Sequence, residues 1–169
     1  MNSKADLLAF LDRIGVAQTT LDHPAVFRVG EGSEIKARLP GAHTKNLFLK
    51  GEDGSLCLVV AMASTRVDLK GLAKMLRAGR FSFGKPELLL EVLGVPPGSV
   101  TAFAVINDVD RRVRLIVDQE LMEHETINCH PLENTATTNI ARDDLLRFIR
   151  ACGHEPIVAV LAASTPVAP

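Results

Sequence analysis

His43-Thr44-Lys45-Asn46-Leu47-Phe48-Leu49-Lys50 is the stretch that decides how this chain is read. It opens polar and cationic and passes into an apolar alternation. As a strand it turns Leu47 and Leu49 one way and Phe48 and Lys50 the other, because successive side chains point to opposite faces. The same parity puts Lys45 beside Leu47, so its amine stands at the rim of an apolar face, where a cation can hold an anion. A surface lysine opening a strand is the plain alternative. The next residues, Gly51-Glu52-Asp53-Gly54, carry turn chemistry, and Ser55 to Met62 is almost wholly apolar. The pair is a β-hairpin whose second strand lies deep in a sheet.

Working outward, Ser3 and Asp6 form a capping box ahead of Leu7, Leu8, Leu11 and Ile14, a helix that Gly15 ends. Thr19 to His23 is a short strand closed by Pro24. Residues 28 to 41 have helical propensity and stop before Pro40-Gly41. Beyond the hairpin, Asp68 begins a helix through Leu72, Met75 and Leu76, with Lys70, Lys74 and Arg77 as a polar stripe and Gly79 past its end. Pro86 opens and Gly94 closes the next helix. Val95 to Phe103 reads as a stiff, glycine-broken loop entering a strand, with Val113 to Val117 as its hairpin partner. Ile127 to Pro131 and Thr135 to Ile140 are extended pieces around a turn, Asp143 to Ile149 is the last helix, and Ile157 to Leu161 adds a final strand. The tail from Ser164 to Pro169 is expected to fray. The sum is one domain over residues 1–169, of mixed α/β class, with a central mixed sheet flanked by helices.

Composition agrees with a compact domain: 169 residues, 47% of them hydrophobic, are enough to bury one core. No apolar run approaches the roughly 20 residues of a membrane helix, and the N-terminus lacks a signal-peptide layout, so a cytoplasmic protein without a membrane partner is expected. Cys57, Cys129 and Cys152 are odd in number and scattered, which suits free thiols. Charge is uneven. Residues 28–85 carry eleven Lys and Arg against five Asp and Glu, whereas residues 86–169 carry six against twelve. A basic half can face phosphates in a protein of net charge -1. Equally, charge gathered in sequence can be scattered in space.

Chemistry-bearing patterns are sparse. The five histidines show no H-x-x-x-H or H-x-H spacing, so no metal is expected. Cys129 and His130 are neighbours in an extended segment and point to opposite faces. No G-x-S-x-G, Walker or G-x-G-x-x-G motif is present. What remains is Lys45, a Gly98-Ser99 loop with free backbone amides, and His130 ahead of Pro131. A cation that fixes an anion and amides that stabilise an oxyanion suffice to hydrolyse an activated ester without a protein nucleophile. Each part also has a plain role, a turn glycine and a structural histidine among them.

These residues fall into ordered blocks: Leu21-Asp22-His23-Pro24, the stretch from His43 to Leu49, Val67-Asp68-Leu69-Lys70, Glu87 to Gly94, Pro97-Gly98-Ser99-Val100-Thr101, Ile106-Asn107-Asp108, and His130 to Thr138. In that order they resemble the YbaK and prolyl-tRNA synthetase-associated editing domains, most closely the free-standing alanyl-tRNA(Pro) deacylases. The resemblance implies a partly barrel-like mixed sheet and an enzyme that hydrolyses the ester of alanine mischarged on tRNA(Pro), without cofactor. Its essential lysine falls on Lys45, its substrate loop on Gly98, Ser99, Val100, Thr101 and Ala102, and its pocket histidine on His130. Asn46, Leu47 and Phe27 are expected to line the substrate site. The family loop usually runs Gly-x-x-x-Pro, and Ala102 stands here in the proline's place. The partners implied are mischarged tRNA(Pro) and a transient encounter with prolyl-tRNA synthetase, not DNA. The alternative from another class is a non-catalytic module of the same fold that binds an acceptor stem or a synthetase.

Overall fold

The computed structural model describes residues 1–25 and 33–163; Phe27 and the tail lie outside these residues. In chain order the elements are α1 (Lys4–Arg13), β1 (Gln18–Asp22), α2 (Ser33–Arg38), β2 (Ala42–Lys50), β3 (Leu56–Met62), α3 (Leu69–Leu76), β4 (Ser82–Phe83), α4 (Pro86–Leu93), β5 (Val113–Asp118), β6 (Thr126–Cys129), β7 (Ala136–Ala141), α5 (Arg142–Ala151) and β8 (Ile157–Ala159). Two 3₁₀ turns, Ala102–Asn107 and Gln119–Glu123, join the later strands. Local chemistry explains several boundaries. Ser3 and Asp6 cap each other's backbone at the start of α1, and Asp68 accepts from the Gly71 amide at the start of α3. Pro86 opens α4, and Gly94 ends it in the left-handed conformation.

The strands form one mixed sheet in the order β1-β7-β6-β2-β3-β5-β8, with β4 pairing separately to β2. The hairpin is observed: β2 and β3 pair antiparallel from Thr44↔Met62 to Lys50↔Leu56. On its other side β2 changes partner. Ala42 and His43 pair parallel with Ile127 and Asn128 of β6, while Leu49 and Lys50 pair antiparallel with Phe83 and Ser82 of β4. From Thr44 to Phe48, therefore, β2 has a described strand neighbour on one side only, and the sheet forks there.

Each face of the sheet has its own core. Phe48, Leu58, Val60, Leu115, Ile127 and Ile140 face a large cluster closed by α1, α4, α5 and the first 3₁₀ turn. Leu49, Cys57, Val59, Ala61 and Ile116 face a smaller one closed by Leu72 and Leu76 of α3, with Leu47 packed at its margin. The strand parity read from the sequence is thereby observed.

Two expectations are corrected. Lys45 is not at a strand mouth, because β2 begins at Ala42. The segment after Gly98 enters a 3₁₀ turn rather than a strand: both flanks of β5 are taken by β3 and β8 in parallel pairing, so no hairpin partner can dock there. Thr101 caps the turn by accepting from the Phe103 amide, and all its residues except Ile106 are buried. Gly79 lies past the end of α3 as expected, and the left-handed residue that ends the helix is Arg77. β4 was not anticipated.

Candidate functional site

The side chain of Lys45 emerges where the sheet forks, half-buried on the same face as Leu47, with no hydrogen bond or ion pair to any described residue. A cation held partly away from water without a partner opposes folding, since desolvation is uncompensated. Asn46 points to the opposite face, and its Oδ1 is buried and meets no donor among the described residues.

The chain is brought into β2 rigidly. The Pro40 carbonyl accepts from Thr126 Oγ1 (3.2 Å), Asn128 Nδ2 (3.1 Å) and Asn139 Nδ2 (2.8 Å), and Asn139 also reaches Asn128 Oδ1 (2.9 Å). Thr44 Oγ1 donates to the Asn128 carbonyl at 2.7 Å. Gly41, at φ +96°, passes so close to β6 that a Cβ would stand 2.1 Å from Thr126 Oγ1.

His130 follows β6, whose alternation assigns it to the face of Asn128 and Lys45. Its Nδ1 lies 3.0 Å from the Ala136 carbonyl. A carbonyl only accepts, so Nδ1 carries the proton and Nε2 is left as an acceptor in the neutral ring. Burial holds the His130 pKa below its ordinary value, and the nearby His23 pushes the same way against the Ala136 bond. His23, near His130, was not among the expected site residues. Its Nδ1 faces the Pro24 carbonyl and its Nε2 faces Thr137 Oγ1, both at 2.8 Å, so Thr137 donates to it. Pairing of Leu21 with Thr137 between β1 and β7 delivers it there. The blocks Leu21 to Pro24 and His130 to Thr138 each contained a histidine, but nothing local signalled that they meet.

The side chains of the Gly98 loop turn inward. Gly98 is exposed at φ +90° within a turn closed by the Ser99 amide on the Pro96 carbonyl. Ser99, Thr101 and Ala102 are buried, and Val100 packs on the larger core. Ala102 is the first residue of the 3₁₀ turn, a position where proline is well tolerated but not required. The structure thus gathers Lys45, Leu47 and His130 on one face, and sets Asn46 and the Val100 to Ala102 side chains toward the other. Burial pushes the Cys129 thiol up to about 12, so it is no nucleophile at neutral pH. Among the described residues no three His, Cys, Asp or Glu side chains are grouped to hold a metal ion, and no helix is long and apolar enough to cross a membrane.

Three kinds of similarity bear on the family and the fold. Residues 23–148 match the model of the aminoacyl-tRNA editing domain. The chain is 37% identical over 157 residues to prolyl-tRNA synthetase associated domain-containing protein 1 of Danio rerio, covering 92% of this chain and 85% of the relative. It is 30% identical over 155 residues to the prolyl-tRNA editing protein ProX of Acetoanaerobium sticklandii, covering 91% and 94%. A crystal structure provisionally assigned as a trans-editing enzyme for prolyl tRNA synthetase superposes with a TM-score of 0.74 at 19% identity, covering 97% of this chain and 99% of the other, and supports the fold. The chain belongs to the aminoacyl-tRNA editing domain family.

Proposed function

We propose that the protein is a trans-editing deacylase that hydrolyses the ester of alanine mischarged on tRNA(Pro). What supports this reading is the placement, on one face at the fork of the sheet, of a half-buried amine at Lys45 and an imidazole at His130 whose Nε2 can accept, neither the amine nor Nε2 having a partner among the described residues. Lys45 fixes a phosphate or the terminal adenosine region, and backbone amides of the Gly98 loop hold the carbonyl oxygen as charge develops on it. His130 Nε2 accepts from the attacking water or from the ribose 2′-hydroxyl that orients it. Water oxygen bonds to the carbonyl carbon, the ester C–O bond breaks, and the ribose oxygen leaves with a proton, giving alanine and free tRNA. The test is release of alanine from alanyl-tRNA(Pro) by the pure protein. Binding without release would establish the non-catalytic module instead.

Two expected outcomes follow from the geometry. The deacylation rate should fall on the acid side, with its midpoint below the ordinary histidine value. Burial lowers the His130 pKa, so the neutral ring persists to more acid pH than in a free histidine, and protonation then removes the Nε2 acceptor. A rate profile that is flat through this acid range, or is the same in His130→Ala, would remove His130 from the mechanism. The second concerns size, since a pocket for a methyl group excludes a pyrrolidine ring by bulk. Leu47→Ala should lower stability by about 2 kcal/mol, given that Leu47 is only partly enclosed at the margin of the smaller core. It should also raise prolyl-tRNA hydrolysis relative to alanyl-tRNA hydrolysis. A fixed ratio with alanine still cleaved would make Leu47 packing alone.

A further inference from the structure

The charge asymmetry of the sequence becomes an asymmetry of pairing in the fold. Among the described residues, no ion pair involves any residue from 33 to 85. That stretch holds ten Lys and Arg against four Asp and Glu. Two of the four acids are otherwise engaged, Asp53 with Ser55 and Asp68 as the cap of α3. By contrast, the elements covering the larger core are laced with pairs: Lys4 with Asp22 and Glu133, Arg112 with Glu91, Arg147 with Asp144, and Arg150 with Glu155.

Helix α3 concentrates the unpaired charge. Leu72 and Leu76 are buried against the smaller core, which turns Lys70 and Lys74 outward one turn apart, and the left-handed Arg77 at the end of the helix is exposed after them. Like charges at that spacing repel, and the helix carries no acid in its first turn to offset them. Its outer row stands about one helix diameter, roughly 10 Å, out from the sheet face that carries Leu47 and Lys45. An ester held at Lys45 is the end of a long polyanion, and that polymer must leave the fork past one of the two covers. Charge complementarity selects the α3 side.

We infer that the outer row Lys70, Lys74 and Arg77 of α3 is a docking surface for the phosphate backbone of the RNA duplex adjoining the ester, an assignment that rests on the deacylase reading of the same sheet face. Contacts of this kind carry affinity and orientation without sequence preference.

The test replaces all three residues by glutamine (Lys70→Gln, Lys74→Gln, Arg77→Gln), with Arg13→Gln/Arg150→Gln on the opposite cover as comparison. Binding of unacylated tRNA(Pro) transcript is titrated across salt, and hydrolysis is measured on full-length alanyl-tRNA(Pro) and on alanine esterified to a short CCA oligonucleotide without duplex. The triple variant should melt as wild type does and lose about 2 to 3 from the slope of log affinity against log salt, with the comparison variant unchanged. Its kcat/KM should fall on full-length substrate and stay level on the oligonucleotide. An unaltered slope overturns the assignment, as does an equal loss in the comparison variant or an equal loss on both substrates. A wild-type protein that cleaves neither substrate refutes the deacylase reading, while a slope lost in the triple variant alone would still support docking.

Discussion

Lys45→Ala is expected to leave a folded protein and to cut deacylation by about 100-fold, the order of loss when a substrate is no longer held in its reacting geometry. The two halves of this expectation come from the same observation. Because the amine has no hydrogen bond or ion pair with any described residue, removing it strands no partner. Because it is half-buried, its removal also relieves an uncompensated desolvation, so thermal stability should hold or rise slightly. Loss of function with gain of stability is the signature of a residue kept for chemistry. Rates on alanyl-tRNA(Pro) and a melting curve for the same preparation check it. Wild-type turnover, or a drop in melting temperature large enough to explain the lost rate, would remove Lys45 from the reaction.

Asp108→Ala should be the most damaging single change outside the site, at about 3 to 5 kcal/mol of unfolding free energy. Asp108 and His154 are almost fully buried, at 2% and 3% side-chain exposure, and meet at 2.9 Å between Oδ2 and Nε2. The carboxylate also accepts from the Arg112 and Val113 amides at 3.0 and 2.9 Å. Truncation would leave His154 Nε2 and the Val113 amide buried without an acceptor, and would free the Arg112 amide as well. The neighbouring Asn107 adds a second anchor, donating to the Leu93 carbonyl at the end of α4 and accepting from Asn2 ahead of α1. Together they fix the far end of the 3₁₀ turn that follows Gly98 directly. Urea unfolding should show the loss, and deacylation measured where the variant is still folded should also fall as the Gly98 loop loosens. A shift below about 1 kcal/mol would mean that water replaces the carboxylate at little cost.

The parts of this fold that local chemistry dictates were legible in the sequence. The hairpin follows from an alternating run, a glycine turn and an apolar run, and α4 follows from proline at one end and glycine at the other. Ala102–Asn107 misleads because an apolar run ending in Val105 and Ile106 has strand composition. Whether such a run pairs depends on a free strand edge, and β5 offers none. The site divides the same way. Lys45 and Leu47 share a face by parity alone, whereas the approach of His23 to His130 depends on β1 pairing with β7, more than a hundred residues away in sequence. The Gly98 loop was recognisable as a loop, but the inward turn of Ser99, Thr101 and Ala102 is a matter of packing.

The fork in the sheet sets the exchange behaviour of β2. The His43 carbonyl accepts from Ala63, on the β3 side, and the Phe48 carbonyl accepts from Gly84, on the β4 side. Alternation then aims the backbone of Lys45 and Leu47 at β3 and that of Asn46 into the opening. In deuterium labelling, the Lys45 and Leu47 amides should be as slow as those of any interior strand, and the Asn46 amide between them should exchange much faster. Such a single fast amide, slowed when an aminoacylated RNA end fills the opening, would let occupancy be followed at one backbone position without any mutation.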